Sequence, residues 1–533
     1  MKYVLTGNFQ YDLGIYGLKK ILDFFEEKYE TDGEYYIQVN KKPEEILELI
    51  ILKLVYQKTP SYFLNKIFEA LFKDTDNKDF KKEFEGKVKN LNLSDEYKNL
   101  IEIIKKEKSL EKTISHLAEF IYDVLVNTFN IKSEKQQIEE ILWSKTVNLL
   151  NNVLLNFQPD MQAKGKEVLE KAIQKLNKDI KKNSLCSFCE QNSGKNITRD
   201  TFFFAPAQFN AFWFNEPSIF ICPYCLACNL AITQSMTFLG SELNSVVIYR
   251  QNLKDLEILN EGLKISKIGE LTKKIIEYEK LNLKKESTIK NLQIIEFYLD
   301  PQNPKLEFYI LTDEVIENIL KISSQLEKLY TTYKDSLWGQ IKDKNGYENI
   351  DLSKELLKYI SYNQKLLFLV QRFTKLGIMA ESFRQGNVRN PPVKGFYISV
   401  LLEILKMHFI LEGLGMNHFE AFKDYGQFLR GKVYNQVSEG GNVNWNTFNN
   451  KIISLSNSFL DAGKGNFQQF METLTRVMIS YDAPIDTNLL KLINKDTYKE
   501  IATTIALSLM ATKSNEEKPK ENKETNIEKE QEI

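Results

Sequence analysis

Five cysteines fall within 43 positions of a 533-residue chain: Cys186, Cys189, Cys222, Cys225 and Cys228. Two Cys-x-x-Cys pairs, Cys186/Cys189 and Cys222/Cys225, each set two thiolates on a tight turn along one edge of a tetrahedron. Two such pairs complete a Cys₄ site, the donor set of structural zinc. The pairs are 32 residues apart, and Pro223 stiffens the second. Cys228 repeats the spacing from Cys225, so it reads either as a buried free thiol or as a substitute ligand. A redox role needs only one pair on a thioredoxin-like βαβ unit, which the pattern lacks. Catalytic zinc usually keeps His or carboxylate ligands and an open position, and no His lies in this segment. The expectation is a structural zinc ion held by Cys186, Cys189, Cys222 and Cys225.

Between the pairs sit Phe202, Phe203, Phe204, Phe209, Phe212, Trp213, Phe214 and Phe220. Such a cluster supplies the apolar core of a small metal-stapled domain; alternatively, one or two rings stack on bases. Just before Cys186, Lys164, Lys171, Lys175, Lys178 and Lys182 recur at helical spacing, and Lys195 and Arg199 follow inside the loop. They form either a phosphate-contacting face or a solvated helix face. Only seven of the 71 basic residues are Arg, and five of these, Arg372, Arg384, Arg389, Arg430 and Arg476, lie in the C-terminal third. The segment Arg384 to Lys394 holds three cations and no acid, and Lys432 follows Arg430 closely. Guanidinium forks suit phosphates and base edges. The competing reading is a solvated loop between helices.

Motifs for common chemistries are missing. None of His116, His408 and His418 is followed by Asp, and there is no phosphate-binding Gly-rich loop, His-Glu-x-x-His or Gly-x-Ser-x-Gly. The expectation is a protein without catalytic activity. Net charge is −1, which excludes a globally basic nucleic-acid binder but not local patches. Apolar residues are 43% and charged residues 27% of the chain, a soluble globular composition. No charged segment followed by an apolar core opens the sequence, and no run approaches a membrane span. A cytoplasmic protein without membrane contact is expected, where paired cysteines signal metal more often than disulfides.

The elements that must position these residues read as α+β, predominantly α-helical. A mixed N-terminal domain spans 1–350, with a zinc-ribbon-like insertion at about 183–230. A helical bundle spans 351–512, and a disordered charged tail 513–533. Strand signals fall at Tyr3–Leu5, Tyr35–Val39 and Ser245–Arg250. A hairpin is expected from Leu292–Leu299 to Leu306–Leu311 across Asp300-Pro301-Gln302-Asn303-Pro304. Helices are expected over Leu13–Phe25, from Pro43, and from Pro60 through Phe72. From Ser353 onward only helices are read, near 353–383, 395–414, 418–436, 447–460, 467–481 and 487–511. Asn466 and Asp486 are expected N-caps.

The opening Leu5-Thr6-Gly7-Asn8-Phe9-Gln10-Tyr11-Asp12-Leu13-Gly14-Ile15-Tyr16-Gly17-Leu18 resembles the start of the large subunit of type I-B CRISPR surveillance (Cascade) complexes, Tneap subtype. The paired cysteines, the Phe-Phe-Phe-Ala-Pro stretch between them and the helical region around Phe428-Leu429-Arg430-Gly431-Lys432-Val433-Tyr434-Asn435 extend the likeness over most of the chain. The resemblance implies a non-catalytic antiviral-defence subunit that binds guide RNA and target DNA. It would recognise the motif flanking the target (the PAM), help open the duplex and recruit the helicase-nuclease. It also implies partners in the backbone proteins, the protein holding the guide's 5′ handle, and a small subunit. In that family the small subunit can arise from an internal start, for which Met379 is the candidate. Thr6, Gly7, Asn8, Asp12 and Gly14 match the family's opening segment, and a turn-and-cap role for them is equally consistent with their types. A free-standing zinc-ribbon nucleic-acid-binding regulator is the alternative, followed by a nuclease with an unrecognised site.

Overall fold

A computed structural model describes residues 1–72, 78–90, 94–131, 133–150, 163–181, 184–196, 220–239, 244–265, 267–282, 292–298, 305–344, 346–386, 388–439 and 442–511. Lys182, Arg199, the aromatic residues from Phe202 to Phe214, the Asp300–Pro304 turn and the 513–533 tail lie outside the described residues. The chain is α+β and predominantly helical. It divides into two compact units, Met1–Ser266 with Ser287–Ile310, and Lys267–Glu286 with Leu311–Ile533. The 351–512 bundle falls wholly in the second unit, which also takes in earlier segments.

The first unit is organised on the Phe9–Phe24 helix. Asn8 caps it, its Oδ1 accepting from the Tyr11 N–H at 3.1 Å. Every residue from Gln10 to Leu18 is buried, so this helix is apolar nearly all round and runs through a core. In front of it the Lys2–Val4 strand pairs antiparallel with Tyr36–Gln38, which also pairs with Glu30–Thr31. Register sets buried Tyr3 opposite buried Ile37. Pro43 and Pro60 open the Pro43–Tyr56 and Pro60–Leu71 helices at the first turn, where the missing N–H costs nothing. A four-stranded sheet has the order Thr237–Phe238, Asn244–Tyr249, Leu292–Tyr298, Lys305–Leu311.

The second unit is built round the Tyr498–Met510 helix, buried at every residue from Glu500 to Met510. It packs against the Leu366–Gln385, Ile398–Leu411, Met416–Val437 and Trp445–Lys464 helices. Three hydroxyls inside it are satisfied by the preceding turn: Thr503 Oγ1 donates to the Lys499 carbonyl, Thr504 to Glu500 and Ser508 to Thr504, each at 2.7 Å. Close approach is allowed by Gly426, where a Cβ would meet the Ser508 side chain at 2.7 Å, and by Gly463, where it would meet Ala502 at 2.9 Å. The expected caps are present: Asn466 accepts from the Gln469 N–H at 2.9 Å and Asp486 from Asn488 at 2.6 Å.

Three expectations for this region need correction. The 353–383 helix is two, Leu352–Ser361 and Leu366–Gln385, because Asn363 turns left-handed at φ +50° and the Gln364 N–H closes back on the Tyr359 carbonyl at 2.8 Å. The 487–511 helix breaks after Leu492, where Asn494 Oδ1 captures the N–H groups of Asp496 and Thr497. The region is also not helical throughout. A hairpin of Trp338–Asp343 and Gly346–Asp351 joins Val393–Gly395 in a three-stranded sheet, and Ser438–Glu439 pairs with Asn442–Val443. Met379 lies inside the Leu366–Gln385 helix, so a chain starting there would lack Leu366, Leu367, Leu369, Val370 and Phe373, all buried. It would also lose the Trp338–Asp343 partner of Val393–Gly395. Met379 is therefore a poor boundary for a separate folded subunit.

Candidate metal centre

The first knuckle is a turn closed by backbone pairing. Leu185 bridges Ser193, the Cys186 N–H donates to the Asn192 carbonyl at 2.8 Å, and the Glu190 N–H returns to the Cys186 carbonyl at 2.9 Å. Lys195–Asn196 then pairs with Phe220–Ile221, which delivers Cys222 beside the first knuckle. The Ser187 N–H donates to the Phe220 carbonyl at 2.9 Å, and the Phe220 N–H to Ser187 Oγ at 3.1 Å. Cys222 is the N-cap of the Pro223–Leu230 helix, and its Sγ accepts from the Cys225 N–H at 3.4 Å. The proline fixes the first turn of this helix, and the helix N-terminus contributes positive partial charge beside the sulfurs.

The four Sγ atoms of Cys186, Cys189, Cys222 and Cys225 all lie within 4.8 Å of one another, and three of these residues are buried. The Cys189 and Cys222 sulfurs are 3.7 Å apart. A tetrahedron with metal–sulfur bonds of about 2.3 Å has edges of about 3.8 Å. The cluster is therefore close to the size one metal ion requires, and no carboxylate or imidazole belongs to it among the described residues. Without a metal the thiols share protons. Hydrogen bonds from Cys186 and then Cys222 hold Cys189 far below the ordinary thiol range, while Cys186 and Cys189 push Cys222 and Cys225 up. Cys189 pushes Cys186 up, but Cys222 and Cys225 outweigh it and bring this thiol to about 7. Four sulfurs so close cannot all carry charge unless a cation replaces the protons. Cys228, also buried, is not one of the four; burial pushes its thiol up, and the charge of Asp12 adds to that.

The opening segment is packed onto this centre. Tyr11 OH lies 3.2 Å from Cys225 Sγ, and its ring lies 4.6 Å from that of Phe188, inside the first knuckle. Asn192 Nδ2 approaches both Cys189 Sγ and Met1 Sδ at 3.8 Å. A Cβ at Gly14 would stand 2.8 Å from the Cys228 carbonyl oxygen, and one at Gly17 2.0 Å from that of Ala231. Only glycine lets the Phe9–Phe24 helix lie this close to the cysteine-bearing helix. Asp12 ties the turn before that helix. Its Oδ1 accepts from the Thr6 N–H at 2.8 Å and from Thr6 Oγ1 at 3.3 Å, and its Oδ2 from the Gly7 N–H at 3.0 Å and Tyr249 OH at 2.7 Å. Gly7 adopts φ +84°, a conformation that disfavours a side chain. The motif residues Thr6, Gly7, Asn8, Asp12 and Gly14 thus act as turn, cap and close-approach groups. Sequence reasoning misses Tyr11, Asn192 and Tyr249. Tyr11 lies inside the motif, but nothing local links Tyr249 to a partner 237 positions away.

The basic residues fare differently. The helix before Cys186 ends at Asn177, so Lys178 lies past its end, exposed, and only Lys171 and Lys175 share a helical face. Lys171 pairs with Glu167 at 3.1 Å, and the Lys175 carbonyl accepts from Lys195 Nζ at 2.6 Å. The continuous basic face expected from Lys164 to Lys182 is therefore broken. In the second unit Arg430 is 5% exposed, donates to the Leu509 carbonyl at 2.8 Å and lies over the Phe448 ring. It is an interior residue and cannot reach a polyanion. Arg384 is largely engaged within the fold: Nε donates to Glu381 at 3.0 Å and Nη1 to the Gly395 carbonyl at 3.0 Å, above the Tyr397 ring. Arg372 is exposed and pairs with Glu355 at 2.9 Å, and Lys432 faces Asp482 at 3.4 Å. Lys394 lies over the Tyr347 ring, and Arg389 is exposed with no ion-pair partner among the described residues. Among the described residues no helix is long and apolar enough to cross a membrane. No family model matches the chain, and no curated protein is detectably similar to it.

Proposed function

We propose that this chain is a non-catalytic target-recognition subunit of an RNA-guided type I-B interference complex, stapled by a structural zinc ion on Cys186, Cys189, Cys222 and Cys225. It would bind guide RNA and target DNA, recognise the flanking motif, stabilise the opened target and offer a surface to the helicase-nuclease. The observation that carries this reading is the union of the two features on which the family resemblance rests. The Thr6–Gly17 opening segment and the paired cysteines are distant in sequence, yet they form one packed device through Tyr11, Gly14 and Gly17. Zinc is the metal of choice because four thiolates and no oxygen donor match its structural sites. A closed Cys₄ set leaves no open position for a substrate, which favours a staple over a reaction centre. The zinc would fix the knuckle against the N-terminal helix, and the residues around it hold position rather than move protons.

Nucleic-acid contact in the second unit is reassigned from Arg430 and Arg384 toward Arg389 and Lys394, whose segment carries cations without acids. Replacing both by Ala in the assembled complex is expected to weaken target binding. The slope of log affinity against log salt should fall by about one for each phosphate that is no longer neutralised. An unchanged slope removes this loop from the interface.

A further inference from the structure

Two helices of the first unit bring lysines to one aromatic pair, and a third carries a lysine whose Nζ lies 5.5 Å from the Tyr16 centroid. Lys20 lies on the Phe9–Phe24 helix, Lys53 in the last turn of Pro43–Tyr56 and Lys105 in the last turn of Ser94–Glu107. The Phe24 and Tyr56 rings meet edge to face with centroids 4.4 Å apart. Lys53 Nζ lies 3.1 Å from the Phe24 centroid and 5.1 Å from that of Tyr56, and Lys105 Nζ lies 5.1 Å from the Phe24 centroid. Lys20 and Lys105 both act electrostatically on Lys53.

Among the described residues none of these three ammonium groups donates a hydrogen bond or joins an ion pair. Glu261 and Glu257 act on Lys20, whereas no carboxylate among the described residues acts on Lys53. Glu27 pairs with Lys41 at 2.9 Å and Lys108 at 3.0 Å, and Glu257 pairs with Lys19 at 2.9 Å. Burial, with Lys20 and Lys105 adding to it, brings Lys53 down to about 8. Helix C-termini supply some negative partial charge, and the ring faces hold an ammonium by their quadrupole. Neither fills the three N–H donors each lysine carries. Lys53 and Lys105, half-buried against one ring with no carboxylate bonded to either among the described residues, are under-compensated, and a multiply charged oxyanion would supply both charge and acceptors.

We propose that Lys53 and Lys105 form a phosphoryl-binding site on the Phe24–Tyr56 shelf. The site does not depend on the role assigned above and lies apart from the basic residues singled out in the sequence. Two point-charge ammoniums on one ring suit the tetrahedral oxygens of a phosphoryl group, whether it belongs to a free polyphosphate or to a nucleic-acid backbone.

The test is competitive amine acetylation of the full chain in phosphate-free buffer, read at Lys53 by mass spectrometry. It is run alone, with tripolyphosphate, and with a short single-stranded oligonucleotide. Either ligand should slow modification of Lys53 about tenfold at near-saturation and leave exposed Lys495 unchanged. Protection by both ligands assigns a general phosphoryl site, by the oligonucleotide alone a backbone site, and by tripolyphosphate alone a free-polyphosphate site. Protection by neither overturns the proposal. Lys53→Met keeps an apolar stem over the Phe24 ring and should fold. In phosphate-free buffer it should melt higher than the parent, and it should lose the anion-induced rise in Tm. A variant that keeps that rise contradicts the assignment.

Discussion

The double substitution Cys186→Ser with Cys189→Ser is expected to take bound zinc from one ion per chain to none and to prevent the first unit from folding. Metal binding at a Cys₄ site contributes free energy that small zinc domains report as about 10–16 kcal/mol at neutral pH, larger than the whole stability of many domains. Here the loss would be felt through the core, since Cys222 caps the Pro223–Leu230 helix and that helix carries the Phe9–Phe24 helix on its back. Elemental analysis of protein refolded with and without zinc, combined with circular dichroism, checks this. The parent should hold one zinc and refold only with it. Cys228→Ser should keep the metal, because Cys228 is not one of the four clustered thiols, although it should cost stability as a polar change at a fully buried site. Full zinc content in the double variant would place the metal elsewhere.

The second large effect is expected at Asp12. Its carboxylate accepts from two backbone N–H groups, the Thr6 hydroxyl and the Tyr249 hydroxyl. Asp12→Ala orphans these donors in the interior, at about 1–3 kcal/mol for each that water cannot reach. A net loss of about 3 kcal/mol is expected in chemical denaturation, because relief of the buried charge offsets part of the cost. Asp12→Asn should lose less, since one oxygen survives while an amide N–H₂ faces donors. The pH dependence has a definite sign. Burial raises the Asp12 carboxyl above its ordinary value, and the hydrogen bonds from Thr6, Tyr249 and Gly7 oppose this without cancelling it. A raised acid binds its proton more tightly in the folded state. Its stabilising contribution is therefore fullest below the unfolded value near pH 4, about the usual Asp figure, and falls as pH rises through the folded value. The stability advantage of the parent over Asp12→Asn should shrink across that window. An advantage that grows with pH would mean that the hydrogen bonds outweigh burial.

The cysteine cluster was legible in the sequence because Cys-x-x-Cys spacing is set by local turn geometry, and the two prolines marked helix starts for the same reason. The Asn466 and Asp486 caps were readable on equally local grounds. Burial was not. Arg430 stands in a polar stretch and reads as surface, yet a carbonyl of a helix far along the chain and the Phe448 ring enclose it. Lys178 kept helical spacing on paper, but the helix had already ended at Asn177. Sequence evidence for the Trp338–Asp351 hairpin was limited to Asn345-Gly346, a pair favoured in tight turns. Most informative is the opening segment. Its residue types allowed both a ligand-reading and a turn-and-cap role, and only the partners Tyr249, Cys225 and the Cys228 carbonyl, all remote in sequence, separate the two.

The central claim is that this device belongs to a subunit of an RNA-guided assembly. Co-expression of the tagged chain with its genomic neighbours and a guide RNA, followed by native mass spectrometry of the purified material, tests it most directly. The account predicts one assembly that contains this chain with a single zinc ion, a guide RNA and the backbone proteins, and that leaves single- and double-stranded DNA uncut in Mg²⁺. A chain that purifies alone, without RNA, and binds a specific DNA tightly would contradict it and establish a free-standing regulator.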